Sequence, residues 1–354
     1  MGWMRFLLSL LVVGSHVGGM GGTPAGATAI AGFFTISGFL MARTLDENYR
    51  GQGVLRFYLN RVLRIGPPFV AVLALTWVAL WARDARPFQS HLEFGVPTGA
   101  YMPVELPPSP LRQLALEPQG YPLFLYPSFR LLPQAWSLVT ESAFYLAAPW
   151  LLWTFRGGAF RWRWVLPVVS LWLAVAGYDR NWLRSPAAAL WVFWLGMQAY
   201  CARAGSALPP TGARRLGELG PAVAVMAIGC GLVPLSGELA SFVVPPLMVA
   251  FLVLGGWDRR QSLGLERFVG NLAYGVFLGH FLSTITMYWI AESVFARTGR
   301  FGIFGIPDVT EWRLRVSSFA FAIVAGALVH LAFERPFERV RARVRRPGPA
   351  APSI

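Results

Sequence analysis

Residues 4–22 read MRFLLSLLVVGSHVGGMGG, and a second apolar run, ATAIAGFFTISGFLMAR, follows at 27–43. About 20 helical residues cross the hydrocarbon core of a bilayer, so each run is long enough to be a membrane span. A secretory signal peptide is the competing reading of the first run. The histidine inside it, and the second apolar run directly after it, fit a retained first helix better.

Working outward, further apolar runs occupy 64–82, 134–155, 164–178, 187–203, 220–235, 239–256, 268–290 and 314–333. Of the 354 residues, 55 % are apolar and 14 % charged, whereas a soluble domain carries about 25 % charge. The expected fold class is therefore all-α, a polytopic transmembrane bundle of about ten helices. Length alone also allows two soluble domains. One membrane domain is expected over 1–335, with a long outer loop at 83–133 and a basic disordered tail at 336–354.

The net charge is +14, and all 31 basic residues are arginine. They lie in loops between apolar runs, which is a topological pattern and not a nucleic-acid footprint. With the N-terminus inside, 21 arginines fall on the inner side and 10 on the outer. The positive-inside rule then places both termini in the cytoplasm. Cys201 and Cys230 sit in or beside apolar runs and suggest no disulfide framework. His16, His91, His280 and His330 are too scattered for a metal motif, so no metal site is expected.

Three features carry chemistry. Arg5 and His16 are eleven residues apart, about 1100° of helical turn, so they share a face and lie about 16 Å apart along the axis. An intramembrane ionisable residue is a functional candidate, and a histidine hydrogen-bonded between helices is the structural alternative for His16. In WSLVTESAFY (136–145), Ser137, Glu141 and Tyr145 share a face at i, i+4, i+8. A carboxylate in hydrocarbon needs a partner. Glu141 either orients a histidine or anchors the bundle through arginine or backbone. Arg61 and Arg64, with Arg56 before them, either set topology or bind phosphates, which suit the guanidinium fork. Ser37-Gly38 lacks the elbow that exposes a nucleophilic serine and reads as close helix packing. His280 lies among Tyr274, Phe277 and Phe281 and reads as a polar core residue; His330 and Glu334 read as a helix-end pair.

Arg5 and His16, FFTISGFL at 33–40, RFYLNRVLRIGPPF at 56–69, WSLVTESAFY at 136–145, NLAYGVFLGHF at 271–281 and FERPF at 333–337 occur in that order. Together they resemble the acyltransferase-3 family of bacterial membrane O-acyltransferases. A second acidic residue often follows the glutamate of the fourth motif in that family; here it is Ser142. The resemblance implies His16 and Glu141 as catalytic residues. It implies Arg5, Arg61, Arg64, Trp136, Ser137 and His280 as binding residues, and Ser37 and Tyr145 are counted with these. It further implies an acyl-CoA donor, acetyl-CoA foremost, with no permanently bound cofactor. The acceptor is a hydroxyl, on a cell-surface carbohydrate or glycolipid, and the location is the bacterial inner membrane. A transporter or flippase of a sugar lipid or small anion is the alternative, since intramembrane His, Glu and Arg suit it as well.

Overall fold

The computed structural model describes residues 1–16, 23–49, 53–82, 132–156, 164–176, 182–204, 211–254, 264–298, 302–303, 306–307 and 311–345. The helices in chain order are α1 (Gly2–His16), α2 (Ala25–Asn48), α3 (Val54–Ala82), α4 (Trp136–Arg156), α5 (Val165–Ala176), α6 (Pro186–Ala204), α7 (Thr211–Gly229), α8 (Gly237–Leu254), α9 (Gly264–Thr298) and α10 (Glu311–Val329). A π-turn, His330–Glu334, carries α10 directly into α11 (Arg335–Arg345). A two-residue antiparallel ladder pairs Gly302–Ile303 with Ile306–Pro307. Every expected span has its helix, and apart from this ladder the elements of the described residues are all helical. Among the described residues, four stretches are long and apolar enough to cross a membrane: Ala25–Asn48, Val54–Ala79, Gly237–Leu254 and Val316–Val344.

Helix α2 is the centre of the bundle, packed against α1, α6 and α8, while α1 also lies along α9. Small residues permit this. A Cβ on Gly38 would overlap the Phe193 carbonyl oxygen, and one on Gly196 would overlap the Thr35 carbonyl oxygen. The two backbones therefore touch at reciprocal glycines, the close approach that small residues allow between membrane helices. The packing expected at Gly38 is thus present. Aromatic rings fill the flanks of this seam: Phe34 stacks on Phe193 at 4.5 Å and Phe144 on the other side of it at 3.9 Å.

The expectation of a disordered tail is overturned for 336–345, which form α11. Phe337, Arg341 and Val344 recur at helical spacing, and Arg341 is buried against α3. Its Nε donates to Asn60 Oδ1 at 3.0 Å, and Asn60 Nδ2 donates to the Tyr49 hydroxyl. Composition suggested a solvated charge run, but an arginine can bury its stem when its head is hydrogen-bonded. Most of the expected outer loop, 83–131, and the end of the tail, 346–354, lie outside the described residues, as do His91, Gly18 and Gly22.

Candidate active site

Helices α1, α2, α3, α4 and α9 together line a single pocket. Its wall contains Arg5, Ser37, Arg64, Ser137, Glu141, Tyr145 and Tyr274 among apolar side chains. Five of the expected binding residues and one of the two expected catalytic residues thus share one cavity.

Glu141 is the hub of the α2–α4 contact. Its Oε1 accepts from Ser37 Oγ at 2.6 Å and from the Tyr145 hydroxyl. The i, i+4 spacing brings Tyr145 to Glu141 along α4, and the close α2 packing brings Ser37 across to it. Glu141 therefore partners hydroxyls, while the charge of Arg5 lies within its electrostatic reach. Its hydrogen bonds do not run to His16.

Arg5 and Arg64 line the pocket, and neither guanidinium makes a hydrogen bond or ion pair to any described residue. Two cations side by side repel each other, and here Arg64 acts on Arg5 more strongly than any other charge. An arrangement of this kind is stabilised by an anion between them. Arg61, expected beside Arg64, is placed differently. It sits behind the pocket wall, with its guanidinium carbon 5.2 Å from the Phe57 ring centroid and 5.6 Å from that of Tyr145. Cation–π contact with two rings accounts for its burial there.

His16 lies at the far end of α1, outside the set of residues lining the pocket. Its ring lies beside that of His280, with centroids 5.2 Å apart and planes tilted 30°. His16 Nδ1 is 3.0 Å from the Val12 carbonyl oxygen, and His280 Nδ1 is 2.7 Å from that of Phe277. A carbonyl only accepts, so in each neutral ring Nδ1 carries the proton and Nε2 the lone pair. Arg184 sits on the same side of the molecule, its guanidinium carbon 5.1 Å from the Trp136 ring centroid and its charge within reach of His16. Trp136 thus backs Arg184 and does not line the pocket. Ser137 Oγ donates to the Gln134 carbonyl oxygen at 3.2 Å.

Sequence reasoning missed Phe33 as a wall residue and gave Tyr274 no role. Tyr274 hydroxyl donates to the Ile65 carbonyl oxygen at 3.1 Å, tying α9 to α3 just beside Arg64. Both were readable: Phe33 is one turn before Ser37, and Tyr274 is one turn before Phe277. His330 and Glu334 form the expected pair, Nδ1 to Oε2 at 3.1 Å, inside the π-turn.

A family model described as an acyltransferase domain matches residues 1–332. The chain belongs to the acyltransferase-3 family. Neither a curated protein nor a solved structure matches it.

Proposed function

We propose that this protein is an integral O-acyltransferase of the bacterial inner membrane, with both termini in the cytoplasm. It moves an acetyl or other short acyl group from acyl-CoA to a hydroxyl of a cell-surface carbohydrate or glycolipid. The observation that carries this reading is the pair of guanidiniums, Arg5 and Arg64, that line one pocket without a hydrogen bond or ion pair to a described residue, with Arg5 on the helix that ends at His16. Acyl-CoA has phosphates at one end and a thioester at the other. The phosphates meet Arg5 and Arg64 at the inner mouth, and the thioester points along α1.

The chemistry follows from the tautomer. His16 Nε2 accepts the proton of the acceptor hydroxyl while its oxygen attacks the thioester carbonyl carbon. The C–O bond forms, the C–S bond breaks, and the CoA thiolate leaves and takes up the proton. The Val12 carbonyl holds the ring in the tautomer with its lone pair on Nε2. Such a base supplies about 10²–10⁴-fold of rate, and fixed orientation of donor and acceptor supplies much of the rest. Ser37 and Tyr145 fix Glu141, whose charge helps set the position of Arg5.

The test is donor binding. The purified full-length protein gains thermal stability with acetyl-CoA, and the Arg64→Gln variant loses most of that gain. A protein indifferent to acetyl-CoA, or a variant that responds like wild type, contradicts the assignment.

A further inference from the structure

The pocket wall joins two kinds of side chain: the charged and polar Arg5, Arg64, Glu141 and Tyr145, and the apolar Ile30, Phe33, Leu138 and Phe277. Phe33 and Phe277 meet edge to face, with centroids 6.1 Å apart and planes at 65°. Phe277 is buried, and one turn further along α9 its ring lies 6.3 Å from that of His280. The His280 ring in turn lies 5.2 Å from that of His16. Ring contacts therefore run from Phe33 in the pocket wall through Phe277 and His280 to His16.

We infer that Phe33 and Phe277 form the seat of the acyl group and set the length of chain that the enzyme accepts. The inference rests on the acyl-CoA reading of the same pocket. A donor held by its phosphates at Arg5 and Arg64, with its thioester at the histidine pair, brings its acyl group beside these rings, because Phe277 adjoins His280 and shares the pocket wall with both arginines. Closely packed rings tolerate few added methylenes, since overfilling forces side chains and backbone apart. An acetyl group needs only the space at the ring edges, and a six-carbon chain needs a ring removed. Specificity of this kind comes from an apolar wall, which discriminates between chains by their methylene count.

The experiment measures displacement of radiolabelled acetyl-CoA from the detergent-purified full chain by unlabelled free CoA, acetyl-CoA, butyryl-CoA and hexanoyl-CoA. Wild type prefers acetyl-CoA to hexanoyl-CoA. Phe277→Ala and Phe33→Ala each move the hexanoyl-to-acetyl ratio toward the longer chain by about tenfold or more. Affinity for free CoA stays within about twofold, because both arginines are untouched. Phe33→Leu, a milder change that keeps the helix packing, moves the ratio the same way by less. If the ratio is unchanged in variants that still bind free CoA, the aromatic pair does not seat the acyl group. If wild type binds none of these ligands, the acyl-CoA reading itself falls, and that outcome is distinct from the first.

Discussion

Helices α2 and α3 have nearly the same mean hydropathy over their most apolar windows, 1.6 and 1.7, yet 72 % of the α2 window is buried and 22 % of the α3 window. Hydropathy says that both can enter a membrane, and it is silent on which one lies inside the bundle. Spacing of small and polar residues makes that difference. Helix α2 carries Gly38 on the face that meets α6, and Ser37 beside it meets Glu141. Helix α3 turns Leu55, Val62, Val70 and Val78 outward, and its polar ties to other helices include Tyr58 to the Leu146 carbonyl, Asn60 to Arg341, and the Ile65 carbonyl to Tyr274. One helix is locked by backbone contact, the other pinned at points.

This contrast orders the expected effects of substitution. Gly38→Leu has the largest, because the added side chain has to part α2 from the Phe193 carbonyl. A loss of about 3 kcal/mol or more is expected, read as a collapse of the monodisperse peak in detergent chromatography. Survival of a folded Gly38→Leu protein would remove the backbone lock from the account. Arg341→Ala comes next. It takes a charged donor from buried Asn60 and should lower stability by about 1.5–3 kcal/mol, seen as a drop in thermal midpoint. No change there would mean that α11 does not pin α3. Ser37→Ala removes one of two hydroxyl donors to Glu141 and costs about 1–2 kcal/mol. Val62→Ala, on the outward face of α3 at 64 % exposure, stays within about 0.5 kcal/mol. A Val62 effect as large as that of Ser37 would reverse the assignment of inner and outer helices.

Apolar runs marked helices α1 to α10 but not α11, and the site was legible in part. Those ten were readable because the inner and outer faces of the helices are both largely apolar and each run is long. The Arg5–His16 face and the Ser137–Glu141–Tyr145 face follow from helical period alone. What the period does not give is the partner across a helix interface. Glu141 was expected either to orient a histidine or to anchor the bundle through arginine or backbone, and is instead bound to Ser37 and Tyr145, since the glycine lock draws α2 close enough for a serine to reach it. Arg61 and Arg64 share a helix face, but Arg61 is captured by the rings of Phe57 and Tyr145. The pairing of His16 with His280 joins residues 264 positions apart and is invisible to any local pattern. The arginine run near the C-terminus misled for the opposite reason. Its composition is that of a solvated tail, while the register of Phe337, Arg341 and Val344 makes it a docked helix.

The proposed reaction turns on one step, in which His16 Nε2 takes the proton from the acceptor. Membranes containing wild type or His16→Ala protein at equal folded levels are incubated with radiolabelled acetyl-CoA and the host's surface glycan fraction, and label in the glycan is counted. The account gives transfer by wild type and a loss of at least about a hundredfold in His16→Ala, with acetyl-CoA binding retained. Undiminished transfer by the folded variant would contradict it.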